Sequence, residues 1–430
     1  MTAGTPFGTR NGLAYGLLGL PLAFVALPLY VILPNHYARE FGVPLATLGA
    51  VLLGARLFDA LIDPMLGRLS DRLFARSARA VLGLGALAAV LLALGFALLF
   101  FPLVSAPAAL VVWASLTLLL TYTGYSALSV AHQSWGAMLG GDERQRSRIV
   151  AWREGLGLVG VVLASITPVL LGLPATTALF FVALTLGWLA WTRADRPLAQ
   201  HRSAGPGATT PISIWMPFQH AGFRRLLAVF LLNGTASAVP ATLVLFFIQD
   251  RLQAPQSMEP LFLASYFVSA AVSIPLWLAL VKRFGLAPTW LVGMLLAIAT
   301  FGWATQIGAG DVAAFVVVCA LSGLALGTDL ALPGALLAGV IQANGYSGRA
   351  EGAYFGWWNF AIKLNLALAA GLALPALALF GYAPGARDAQ ALNALLIAYC
   401  VLPCVLKLAA AACLYFLVIK HPPNPKEAAA

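Results

Sequence analysis

The sequence predicts an all-α membrane protein of twelve transmembrane helices in two six-helix bundles, and three observations carry that expectation. Of the 430 residues, 61% are hydrophobic and only 9% are charged, where soluble domains carry about 25% charged residues. Twelve predominantly apolar segments recur along the chain, each close to the ~20 residues a helix needs to cross the hydrocarbon. One polar stretch, Arg193 to His220, is rich in Pro, Gly and Thr and leaves six segments on either side. That division is the pattern of a duplicated helical bundle.

In order, the spans run near 13–34, 43–66, 80–101, 107–139, 150–173, 176–192, 224–248, 259–281, 287–308, 312–342, 352–381 and 391–419. The expected domains are an N-terminal bundle over 1–192, a cytoplasmic central loop over 193–223 and a C-terminal bundle over 224–430. The polar start MTAGTPFGTRNG runs into a long first span interrupted by Pro21 and Pro28, which is not the build of a cleavable signal peptide. The four cysteines, Cys319, Cys400, Cys404 and Cys413, all lie inside spans. With none in a loop, neither a disulfide framework nor a zinc spacing is present in the sequence.

The net charge of +10 is a topology signal rather than a nucleic-acid footprint. With the N-terminus inside, eighteen of the 25 Lys and Arg fall in the loops and termini of one side, and only Arg39, Arg251 and Arg387 on the other. Basic loops stay on the cytoplasmic side, so both termini are expected in the cytoplasm and the chain in a cell inner membrane. The remaining four bases, Arg56, Arg153, Lys363 and Lys407, lie inside spans, against four acids there, Asp59, Asp63, Glu154 and Asp329.

A charge at membrane depth costs at least ~2.5–3.5 kcal/mol, so these eight positions are candidates for function. Arg56, Asp59 and Asp63 fall within eight residues of the second span, in RLFDALIDPMLGRLSD. Offsets of three and four put them on one helix face, with the carboxylates roughly 5–6 Å apart at Cβ. Such a pair calls for a cation, a proton or a basic partner; an ion-pair bolt between helices is the plainer reading. Lys363, flanked by Asn359 and Asn365, is the best distant base for the pair. Arg153 and Glu154 are neighbours that point about 100° apart on a helix, so they are not expected to share a partner face. Asp329 sits between Gly327 and Pro333, which marks either a broken helix lining a cavity or a plain helix–helix hydrogen bond. Lys407 either snorkels to an interface or is structural, and His132 reads as a packing residue. Trp152 and Trp357, beside charged or polar positions, are the aromatic candidates for substrate contact. The histidines His36, His132, His201, His220 and His421 are scattered and build no nucleophile–base pair or metal cluster, so an enzyme is not expected.

The stretches LAYG at 13–16 and ARLFDALIDPMLGRLSDR at 55–72 resemble the glycoside–pentoside–hexuronide:cation symporters, the melibiose permease-like branch of the major facilitator superfamily. Three blocks match in the same order: WGAML at 135–139, DERQRSRIVAWRE at 142–154 and FGWWNFAIKLNLALAAG at 355–371. GRLSDRLFAR at 67–76, with Gly67, Asp71 and Arg72, is similar to the facilitator loop between the second and third helices. The resemblance implies the major facilitator fold and cation binding at Asp59 and Asp63, which would also be the metal ligands were Na⁺ the ion. It implies that Ser126 lies close to the cation site, that Ser129 lies near a fourth-helix acid of the family, and that Arg153 and Lys363 serve substrate binding or coupling. Asp329, Trp152 and Trp357 join that last group from the span reading alone. The first-helix acid that holds a galactosyl sugar in the family is Ala23 here, so a galactoside is not expected.

The expected function is symport of a small organic solute with Na⁺ or H⁺ by alternating access. The alternative is a lysophospholipid or other amphipathic lipid transporter or flippase of the same fold. No cofactor beyond the coupling ion and no nucleic acid is expected. The expected partners are the substrate and membrane lipids, and the expected state is a monomer. The orientation is testable directly. Tags at the N-terminus, at Gly205 in the central loop and at the C-terminus are all expected to report from the cytoplasm. An external tag at Gly205 would overturn the six-plus-six division.

Overall fold

The structure is a computed structural model and describes residues 7–43, 45–197, 213–379, 381–382 and 385–420. Most of the central loop, including His201, Arg202 and Gly205, lies outside the described residues, as do His421 and Lys426. The described chain is helical throughout its spans. Helix α1 covers Thr9–Leu27 and continues through Pro28–Ile32 and Leu33–Glu40. It is followed by α2 (Leu45–Arg76), α3 (Ala78–Phe100) and α4 (Pro107–Met138). Next come α5 (Glu143–Pro168), α6 (Leu170–Thr192), α7 (Ala221–Leu252) and α8 (Glu259–Phe284). The last four are α9 (Leu286–Ala304), α10 (Val312–Ala343), α11 (Glu351–Leu379) and α12 (Ala389–Ile419).

Ten of these helices are long and apolar enough to cross a membrane by composition alone. Helices α2 and α11, at 32 and 29 residues, have the length as well. In α2 the charges Arg56, Asp59 and Asp63 interrupt the apolar run. Its two faces differ sharply. Leu53, Leu57, Leu61 and Met65 form an exposed stripe at intervals of four, while Asp59 and Asp63 are buried. An apolar stripe opposite a polar face is the pattern of a helix with lipid on one side and bundle on the other.

Helix starts carry their own signals. Asp142, Ser77 and Asp388 accept hydrogen bonds from the backbone N–H groups of Gln145 (2.8 Å), Ala80 (3.1 Å) and Ala391 (2.9 Å). Each satisfies a donor that the first helical turn leaves open. The run from Glu143 to Thr192 kinks at Gly172, with φ +77° between Pro168 and Pro174. The break expected between the fifth and sixth spans falls there. Helix α10 contradicts one expectation: it runs unbroken from Val312 to Ala343 with Pro333 inside it. Pro333 removes one donor and leaves the Asp329 carbonyl without its usual partner, but the surrounding packing keeps the helix continuous.

By contacts the chain forms two compact units. The first holds the residues up to Pro217 together with Asn344–Phe360; the second holds Phe218–Ala343 and the residues from Ala361. The sequence halves would place 344–360 in the C-terminal bundle. The physical reason for the different grouping is the dense bonding of the first turns of α11 to α2, described below. Within the first unit, α1 and α5 cross at backbone distance. A Cβ on Gly16 would come within 2.7 Å of the Trp152 carbonyl, and a Cβ on Gly160 would strike the Leu20 carbonyl. Tyr15, His132, Trp135 and Trp191 fill the interior, with Tyr15 and His132 stacked at 4.3 Å. The second unit is centred on Phe247, stacked on Tyr399 at 4.2 Å and on Phe315 at 5.5 Å.

Candidate functional site

In the first unit, Asp59 and Asp63 of α2 are 3% and 0% exposed. The Ser126 hydroxyl of α4 donates to Asp59 Oδ1 at 2.6 Å, a short charge-assisted geometry. Ser126 belongs to a polar stripe on α4 made of Tyr122, Ser126, Ser129 and Gln133, all buried. Spacings of four, three and four keep these side chains on one face. Gln133 Nε2 donates to Ser129 Oγ at 2.9 Å and to Asn359 Oδ1 of α11 at 3.1 Å. Asp59, Ser126, Ser129 and Asn359 are thus tied into one face spanning α2, α4 and the start of α11. Gln133 was not singled out from the sequence; its place four residues after Ser129 on an otherwise apolar span was the available signal.

Pro64, inside α2, has no N–H to give, so the Ala60 carbonyl between the two acids lacks its helical donor. That frees an oxygen beside the carboxylates. Helix α11 passes so close here that a Cβ on Gly356 would lie 2.7 Å from the Asp63 carbonyl. Among the described residues no group of three or more His, Cys, Asp and Glu could hold a metal. Of the predicted cation-site residues, Asp59 and Ser126 are joined directly, through the hydroxyl–carboxylate bond.

The other predicted residues fall in several places. Arg153 Nη1 pairs with Glu154 Oε1 at 2.8 Å. Rather than sharing a third partner, the two answer each other, both side chains being long enough to fold back across the ~100° between neighbouring positions. Ala23 lies against this same helix, with the Cβ position of Gly157 at 3.4 Å. The indole of Trp152 covers Gly12 in the α1–α5 crossing. Trp357 donates to the Ile214 carbonyl at 2.8 Å and packs against Trp215 with ring centroids 4.9 Å apart and planes tilted by 40°, anchoring the end of the central loop. Lys363 is half-buried in the second unit, one turn beyond Asn359 along α11. Arg72 is exposed, and Gly67 and Asp71 are buried.

Asp329 and Lys407 meet in the second unit. The ammonium of Lys407 lies 3.0 Å from Asp329 Oδ2 and 2.7 Å from Asn233 Oδ1. Asp329 Oδ2 also accepts from Ser237 at 3.2 Å, and Oδ1 accepts from Asn233 at 2.9 Å and Trp290 at 2.8 Å. Four donors take up the roughly four lone-pair positions of a carboxylate. One acid therefore joins α7, α9, α10 and α12, and Lys407, 5% exposed, is a buried partner rather than a snorkelling one.

Buried carboxylates within a bundle of long apolar helices mark a multi-pass membrane protein. The comparisons narrow the class. The chain belongs to the family described as MFS/sugar transport protein, whose model matches residues 12–421; members of this family are transporters and not enzymes. A Bacillus subtilis (strain 168) protein described as the uncharacterized symporter YjmB is 23% identical over 393 residues, covering 86% of this chain and 84% of the relative. Among solved structures, an outward-facing bacterial homologue of the iron transporter ferroportin matches with TM-score 0.67 and 17% identity, covering 95% of this chain and 98% of that one. The E. coli fucose:proton symporter FucP matches with TM-score 0.65 and 15% identity, covering 94% and 99%. The fold is that of the major facilitator superfamily.

The Asp329–Lys407 pair has a distinct signature. Asp329→Asn or Lys407→Met alone is expected to destabilise the protein by ~3–5 kcal/mol, since each leaves a buried charge without its partner. The double variant is expected to regain most of the loss. Melting curves of the purified variants check this, and single variants that melt like the parent would contradict it.

Proposed function

We propose that the protein is a cation-coupled symporter of a small organic solute, of the melibiose permease-like kind, working by alternating access. In this reading Na⁺ or H⁺ binds at Asp59 and Asp63, and no other cofactor is involved. The protein acts as a monomer in the cell inner membrane, surrounded by lipid, with both termini cytoplasmic. The observation that carries the reading is the buried Asp59–Ser126 hydrogen bond, which sets a carboxylate pair on the polar face of α2 against the polar stripe of α4.

The chemistry follows from electrostatics. Two unit charges 5–6 Å apart interact by ~3 kcal/mol at an effective dielectric of 20. A cation or proton received between the carboxylates removes that repulsion in whichever conformation holds them together. Coupling requires the substrate to favour the same conformation, and the effect is reciprocal. Driving a conformational equilibrium from 1:99 to 99:1 takes about 5.5 kcal/mol of differential affinity, to which cation and substrate both contribute. Ser126, Ala60 and the two acids supply oxygens for the ion, while Ser129, Gln133, Asn359, Arg153 and Lys363 are the polar groups for substrate and coupling. Ala23, against Gly157 on the same helix as Arg153, offers no acceptor, which favours a substrate with fewer hydroxyls than a galactoside. FucP is by its description a proton symporter and YjmB a symporter, in keeping with coupling to an ion.

The test is transport by variants that still fold. Asp59→Asn and Asp63→Asn are each expected to abolish gradient-driven accumulation in vesicles while leaving expression largely intact, because losing one like charge relieves repulsion. Candidate solutes are sugars, organic acids and lysolipids, each with and without Na⁺ at fixed pH. Accumulation with unaltered cation dependence in either variant would remove that residue from the coupling site. Cation-independent movement of a lysolipid would favour the flippase reading instead.

A further inference from the structure

His132 of α4 is wholly buried and faces a break in α1. That helix runs as two pieces, Thr9–Gly16 and Gly19–Leu27. Pro21 is the cause: it has no N–H for the Leu17 carbonyl four residues back, and its ring crowds that carbonyl. The Leu17 carbonyl accepts instead from the Leu20 amide at 3.2 Å, a tighter turn than an α-helix makes. Carbonyls in the last turn before such a break draw partners from outside the helix. His132 Nε2 supplies one, 2.8 Å from the Tyr15 carbonyl. A carbonyl only accepts, so the ring hydrogen is on Nε2. Among the described residues Nδ1 has no hydrogen-bond partner, so holding Tyr15 is the ring's one polar task. Tyr15 answers in kind. Its ring stacks on the imidazole at 4.3 Å, and its hydroxyl donates to the His132 carbonyl at 3.1 Å. Gly136 makes room for that hydroxyl, which a Cβ there would strike.

Just beyond the break lies Arg153. A Cβ on Gly19, the first residue of the second piece, would collide with the Arg153 carbonyl and lie 3.2 Å from the Arg153 Cγ. The next turn brings Ala23 against Gly157 of the same helix. The polar contacts of Arg153 itself fix it weakly. Nη1 pairs with Glu154, both side chains being partly exposed, and an ion pair of that kind holds little by itself. Nε is buried with no hydrogen-bond partner among the described residues. The direction of the guanidinium therefore depends on what presses on its stem, and Gly19 presses there.

We propose that His132 is a positioning residue: by pinning Tyr15 at the break, it sets how the second piece of α1 bears on α5 and so where the Arg153 guanidinium stands. The role rests on the reading of Arg153 as a substrate-binding or coupling group, and His132 serves that group without touching solute or ion. Without the His132 donor the Tyr15 carbonyl loses a buried hydrogen bond, a penalty the break relieves by shifting. Gly19 then moves off the Arg153 stem, and the guanidinium is freer to leave its place.

Labelling of arginines by phenylglyoxal, followed residue by residue with mass spectrometry on the full-length protein in lipid nanodiscs, tests this without solute or coupling ion. His132→Leu keeps an apolar side chain of comparable bulk but has no donor, and is expected to raise the labelling rate of Arg153 severalfold. His132→Gln, whose amide reaches the same carbonyl, is expected to bring the rate back close to wild type. Tyr15→Phe removes the hydroxyl but keeps the carbonyl, and is expected to leave the rate unchanged. Arg251 of α7, whose Nε donates to the Ile307 carbonyl at 3.1 Å, is expected to label alike in every variant, which separates a local shift from general loosening. Should His132→Leu fold poorly, Gly19→Ala asks the same question from the other end, since its methyl group pushes on Arg153 directly and is expected to raise labelling there alone. Wild-type labelling of Arg153 in His132→Leu or in Gly19→Ala would overturn the proposal. So would a rate in His132→Gln or Tyr15→Phe as high as in His132→Leu, or a parallel rise at Arg251. No transport is measured, so failure of the symport reading and failure of this role give separate results.

Discussion

A carboxylate held inside a bundle of apolar helices must be answered within hydrogen-bond reach, and the polar architecture of this chain follows from that demand. Asp59 is answered by Ser126, Asp71 by the two free amides that begin α11, and Asp329 by four donors from three neighbouring helices. Each answer fixes one helix against another. The glycines then set how near the backbones come, at Gly67 and Gly356 for α2 and α11 and at Gly16 and Gly160 for α1 and α5.

The three acids are answered differently, and the difference sorts their roles. Asp329 has its acceptor positions filled and a buried ammonium beside it, so it behaves as a fixed joint. Asp59 shares its interior with a second acid four residues along the same helix and with a hydroxyl that serves either as donor or as ligand. Asp71 holds a helix start, accepting from the two backbone amides that open α11.

Much of the fold was legible because membrane spans are long apolar runs, and the charges inside them stand out against that background. Asp59, Asp63 and Ser126 were visible as such exceptions and as a family resemblance. Pairing was harder to read. Lys407 and Asp329 are 78 residues apart, and nothing local says that α12 returns to α10. The Arg153–Glu154 contact depends on side-chain bending, which helical-wheel geometry does not describe. Pro333 suggested a break because sequence shows the lost donor but not the packing that tolerates it. Gln133 was overlooked for a related reason: a single amide gains meaning only from what a distant helix brings to it.

The account rests on Asp59 and Asp63 binding an ion. Its most direct test is the melting temperature of the purified protein as a function of Na⁺ concentration at alkaline pH and, separately, of pH without Na⁺. A ligand that binds only the folded state at 100 times its dissociation constant stabilises by about 2.7 kcal/mol. The account predicts a concentration-dependent rise with one of the two ions in the parent protein and none in the Asp59→Asn/Asp63→Asn double variant. An equal rise in both proteins, or no rise with either ion in the parent, would contradict it.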